Sequence, residues 1–67
     1  MQLSARNQLE GMVKGIKLGT VMAEVTVDLG GQDIVAAITK GSVERLGLKE
    51  GEEVTAIIKA TEVMIAK

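Results

Sequence analysis

Over residues 20–28 the chain alternates from one side to the other: Val21, Ala23, Val25 and Val27 fall on one face, and Thr20, Met22, Glu24, Thr26 and Asp28 on the opposite one. A period of two with one apolar face predicts a half-buried strand. Gly30-Gly31 follows as a turn. The next strand is predicted over about residues 32–39, with Ile34, Ala36 and Ile38 on one face. Val35 and Ala37 lie opposite them, the pattern of a strand covered on both sides. Upstream, residues 7–17 carry Leu9, Val13 and Ile16, interrupted by Gly11 and Gly15. Glycines inside a strand mark a bend or a close backbone approach. Downstream, Val54, Ala56 and Ile58 alternate with Thr55, Ile57 and Lys59 in a fourth strand, and residues 62–66, with Val63 and Ile65 on one face, predict a fifth.

The period changes only over residues 39–47. Val43 and Leu46 stand three apart, as on one stripe of a helical turn. Thr39 or Gly41 suits its start and Gly47 its end. Lys49-Glu50-Gly51-Glu52 reads as a turn. The expected fold is all-β: a small five-stranded OB-like barrel with one short helix between its third and fourth strands. An SH3-like barrel is the main rival from the pattern alone.

Composition adds a second expectation. With 67 residues the chain is a single domain, and a domain this small is marginally stable alone. Cys and His are both absent, which excludes disulfides and the usual zinc sites, and no direct protein–metal ligands are expected. Association remains as the stabilising route. Hydrophobic residues make up 46% of the chain and none is aromatic, so an aliphatic surplus is available for an interface. The net charge of −1 offers no bulk attraction to nucleic acid or to an acidic membrane. The absence of aromatic side chains also removes the stacking platforms of single-strand binders. No run approaches the length of a membrane span and residues 1–9 lack signal-peptide character, so a soluble cytoplasmic protein is expected.

The candidate chemistry is that of donors. Ser4-Ala5-Arg6-Asn7-Gln8 gathers a hydroxyl, a guanidinium and two carboxamides with no acidic residue among them, a set suited to an oxyanion. Taken alone, Arg6 reads first as a solvated charge and Ser4 as part of a fraying terminus. Thr39 and Ser42 flank the start of the predicted helix, where free backbone N–H groups and two hydroxyls form an oxyanion cradle or simply a cap; the two roles are compatible. Lys59 ends the fourth strand and alternates away from Val54, Ala56 and Ile58, either as a point charge for an anion or as a surface lysine guarding a strand end. The acidic residues are scattered among turns and outer faces, with no His, Cys or aromatic partner for acid–base or nucleophilic work, and no enzyme is expected. The phosphate-loop pattern is absent.

Three ordered pieces resemble the molbindins, the Mop domains of molybdate-binding proteins: S-A-R-N-Q-L-E-G at the start, A-A-I-T-K-G-S-V-E-R-L-G-L-K-E-G in the centre, and V-T-A-I-I-K-A-T-E-V-M-I-A at the end. Together they span nearly the whole chain as one Mop domain, residues 1–67. The resemblance implies oxyanion sites between subunits. Ser4 and Arg6 match the opening hydroxyl and basic ligand positions, Lys59 the basic position after the fourth strand, and Thr39 and Ser42 hydroxyls contributed by a neighbouring chain. Some relatives have Ser where Ala60 stands, so contact from that position would be through backbone. The resemblance also implies a strand-exchanged homo-hexamer, a trimer of dimers.

The implied ligand is molybdate, with tungstate close to it in size and charge. The implied role is intracellular storage or homeostasis without turnover. Two alternatives stay open: a regulatory oxyanion-sensing module of a molybdate transporter or regulator, and a carrier of a molybdenum–pterin cofactor. The pterin role lacks an aromatic stacking surface, and no organic cofactor is expected.

Overall fold

The computed structural model describes residues 2–67. Four strands form one antiparallel sheet: β1 (Asn7–Leu18), β2 (Met22–Asp28), β3 (Asp33–Thr39) and β4 (Glu53–Ile58). Their spatial order is β3-β2-β1-β4. The long β1 pairs with β4 through its first half and with β2 through its second, so it is the hinge of a half-barrel. The register slips between Val13 and Gly15, a bulge that bends the strand where it changes partners. Helix α1 (Lys40–Leu46) follows β3, and a single 3₁₀ turn, Ala60–Glu62, follows β4.

The alternation read along β2 sets the core. Ala23, Val25 and Val27 are buried with Val13 of β1, and Val43 of α1 closes over them. Ile34, Ile38 and Val54 pack around this cluster, each from the face that the period of two predicts. Thr39 caps α1, its Oγ1 accepting from the Ser42 N–H at 3.0 Å. Gly47 ends the helix at φ 62°, a left-handed position that an L-residue adopts only with strain.

Two expectations need correction. The fifth strand is not formed, so the structure has four strands and not five. Residues 63–67 pair with neither open edge of their own sheet, β3 or β4. The 3₁₀ turn leads them away from the sheet, leaving Met64 92% and Ile65 90% exposed. Nor is β3 covered on both sides, because Val35 is 58% exposed.

The missing strand leaves a visible gap. Edge strands β3 and β4 face each other across an open apolar groove of about 390 Å³ lined by Ile34, Ala36, Ile38, Val54, Ala56 and Ile58. The chain exposes 5498 Å². A folded monomer of 7.0 kDa is expected to expose roughly 4,000 Å². No helix among the described residues is long and apolar enough to cross a membrane.

Candidate functional site

The five candidate residues fall into two groups. Arg6 immediately precedes Asn7 and Lys59 immediately follows Ile58, and Asn7–Ile58 is the last pair of the β1–β4 ladder. Two cations therefore flank one end of the ladder, an arrangement that repels unless an anion lies between them. Both are exposed, and neither forms an ion pair; the ion pair present among the described residues joins Lys14 to Asp33 at 2.9 Å. Ser4 lies two residues before Arg6, also exposed. Asn7 Nδ2 donates to the Ile58 carbonyl at 3.2 Å and Gln8 Nε2 to the Ala5 carbonyl at 2.8 Å. Of the carboxamides that the sequence offers as possible ligands, Asn7 thus ties the start of β1 to β4, and Gln8 ties the opening segment to β1.

Thr39 and Ser42 form the second group. Thr39 Oγ1 donates to Ser42 Oγ at 2.8 Å while accepting from the Ser42 N–H. Arg45 joins them, its Nη2 donating to Ser42 Oγ at 3.3 Å. Sequence reasoning passed over Arg45. The signal that could have found it is the three-residue spacing from Ser42, which puts both on one face of a helix.

The fold keeps the two groups apart. Each strand of the sheet runs opposite to its neighbour, so the start of β1 and the end of β4 share one end of the sheet. The end of β3, with Thr39, lies at the other end and on the opposite edge. Among the described residues no hydrogen bond or ion pair links Ser4, Arg6 or Lys59 to Thr39 or Ser42. A single chain presents two separate groups of donors.

A hollow of about 610 Å³ lies elsewhere, lined in part by Glu10, Asp28 and Glu53. Three carboxylates repel an oxyanion, so the cationic ladder end is the better candidate. No group of His, Cys, Asp or Glu among the described residues is arranged to hold a metal ion.

A model of the TOBE domain matches residues 3–65. Molybdenum-pterin-binding protein 1 of Clostridium pasteurianum is 54% identical over 66 residues, covering 97% of each chain. The chain belongs to the TOBE domain family, as a molbindin. Two solved structures share its OB-like fold. A molybdate-binding protein from Sporomusa ovata is 51% identical, with a TM-score of 0.96 over 100% of each chain. The cytoplasmic molybdate-binding protein ModG, solved with molybdate bound, is 51% identical with a TM-score of 0.85, over 90% of this molbindin and 43% of ModG.

Proposed function

We propose that this molbindin binds molybdate, without turnover, at sites completed by a neighbouring copy. The observation that carries the reading is the pair of unpartnered cations, Arg6 and Lys59, at one end of a strand ladder. Molybdate is a tetrahedral dianion with four acceptor oxygens. Arg6 and Lys59 offset its charge, and Ser4 adds a directional donor. Thr39 and Ser42 come from a second chain, because the topology puts them at the far end of the sheet of their own. Burial between chains strengthens each of these bonds. Tungstate, alike in size and charge, binds in the same way, and sulfate, which is smaller, binds less well.

The assembly is a strand-exchanged homo-hexamer, a trimer of dimers. Its support is the unfilled groove between β3 and β4, the exposed apolar tail Val63–Ile65, and a surface far larger than a compact chain of this mass needs. A tail from one copy laid along the edge strand of another supplies the fifth strand that a single chain lacks. The role is storage or homeostasis of molybdate inside the cell.

Isothermal titration with molybdate, with sulfate as control and sedimentation on the same sample, tests the reading. The expected result is a hexamer that takes up molybdate and responds little to sulfate. Arg6→Ala and Lys59→Ala should each weaken molybdate binding by about tenfold or more while the fold survives. Parent-like binding in both variants would remove these residues from the site.

A further inference from the structure

Asn7 stands where the strand pattern calls for an apolar residue. It pairs with Ile58 as Leu9 pairs with Ala56 and Gly11 with Val54, on the face where Val54, Ala56 and Ile58 line the groove. Asn is also among the residues that strands disfavour. A half-buried polar side chain at such a position breaks the local rule, and breaks of this kind concentrate at functional or strained sites.

The side chain has a definite task. Its Nδ2 donates to the Ile58 carbonyl at 3.2 Å. That carbonyl and the Lys59 N–H belong to one planar peptide unit, so the bond fixes the direction in which the chain enters Lys59. Lys59 is held again on its far side, where its own carbonyl accepts from the Glu62 N–H at 2.9 Å. At the other end of the bond, Asn7 is joined covalently to Arg6. The last pair of a ladder has a neighbour on one side only and opens easily. Here each strand also carries a cation next to that pair, Arg6 on one and Lys59 on the other, and their repulsion favours opening further. The Asn7 bond opposes both effects.

We propose that Asn7 is a positioning residue that holds Arg6 and Lys59 at a fixed spacing, and that this spacing favours molybdate over the smaller sulfate. The proposal rests on the oxyanion reading above and adds a specificity-determining residue to it. Two cations on strands that are tied together cannot close freely around a small dianion, whereas a larger one bridges them without moving either strand. Holding the pair in advance removes part of the ordering cost of binding. Without the tie the two strands adjust to either anion, and the larger one loses its advantage.

The test titrates the full-length parent, Asn7→Val, Asn7→Thr, Lys59→Ala and the double variant Asn7→Val with Lys59→Ala, using molybdate and, separately, sulfate at fixed pH and ionic strength. Thermal unfolding and sedimentation of each protein run alongside. Valine removes the donor and suits both the strand and its apolar face, so Asn7→Val should unfold no earlier than the parent. Its molybdate affinity should nonetheless fall about tenfold, and its sulfate affinity by less than about threefold. Asn7→Thr, which keeps a donor on a strand-favouring side chain, should recover part of the molybdate affinity, and it carries the test if valine disturbs assembly. With Lys59 truncated there is no spacing to hold, so adding Asn7→Val to Lys59→Ala should lower molybdate affinity by less than about threefold. A parent-like molybdate-to-sulfate ratio in Asn7→Val, or losses that multiply in full in the double variant, overturns the role of Asn7 and leaves the oxyanion site standing. A parent that binds no molybdate overturns both.

Discussion

Single residues in this chain are read most sharply where backbone meets backbone. A Cβ built on Gly11 would lie 2.6 Å from the Asp28 carbonyl oxygen and 2.7 Å from Val27 Cγ1. The carbonyl is held by the β1–β2 ladder and cannot withdraw. Gly11→Ala should cost about 2 kcal/mol, read as a lower urea midpoint. Gly15→Ala, with nothing within 4 Å of its Cβ, should stay within about 0.5 kcal/mol of the parent. Both glycines look alike in the sequence as strand interruptions; only the fold separates a close approach from a bulge. Asp28 is a second case. The Gly30 and Gly31 N–H groups donate to its Oδ1 at 2.8 and 3.3 Å and hold its carboxyl below the ordinary 3.8, with Lys14 adding a smaller push in the same direction. The folded pKa lies below the unfolded one, so the stability it contributes is present above about pH 4 and is lost as pH falls through the folded value. The stability gap between parent and Asp28→Ala should therefore be widest at neutral pH and narrow in acid, as denaturant unfolding at both ends of that range will show. The proposed donors Ser4, Arg6, Thr39, Ser42 and Lys59 stand out in the sequence by type, and their grouping as one ligand set comes from the family resemblance. Arg45 stands out by neither, because its bond to Ser42 depends on a side chain that reaches back one turn.

At the scale of elements, the cap of α1 serves both fold and proposed site, and one substitution pulls the two apart. Thr39 Oγ1 accepts from the Ser42 N–H, which is the cap, and donates to Ser42 Oγ, which orders the donor cluster. Thr39→Ala removes both and should cost about 1 kcal/mol of stability. Thr39→Asp keeps an acceptor for the N–H, so stability should stay within about 0.5 kcal/mol of the parent. It also introduces a negative charge and no proton to donate, so molybdate binding should be lost. A destabilised Thr39→Asp that still bound molybdate would put Thr39 in the fold alone. The elements were legible in the sequence wherever their partner is in the same chain. The alternation of Ala23, Val25 and Val27, of Ile34, Ala36 and Ile38, and of Val54, Ala56 and Ile58 marks the faces that turn inward. The same alternation at Val63 and Ile65 predicts a strand that one chain does not form. Periodicity records which face is to be covered and says nothing of which molecule covers it.

The whole molecule leaves specific apolar surfaces uncovered. Its 5498 Å² of surface exceeds by roughly 1,500 Å² what its mass requires, an excess on the order of two standard interface halves. Among the described residues the core has five buried side chains, the largest of them valine, which is little to hold a chain with no disulfide. Apolar residues are concentrated where the proposed assembly needs them, in the groove between β3 and β4 and in the tail beyond the 3₁₀ turn. If those two surfaces meet between copies and the proposed ligand site draws on two chains, folding, assembly and anion binding are one linked equilibrium, because the tail follows Lys59 after a single 3₁₀ turn. Charge placed on the tail should then act at a distance. Met64→Asp combined with Ile65→Asp changes side chains that are almost wholly exposed in one chain, where such changes ordinarily cost little. In the assembly they would bury two carboxylates against aliphatic side chains, which is strongly unfavourable. The expected outcome is dissociation seen by sedimentation, a lower and concentration-dependent unfolding midpoint, and weaker molybdate binding despite an intact Arg6 and Lys59. A double variant that sediments and binds like the parent would show that the tail lies free, and the groove would then need another occupant.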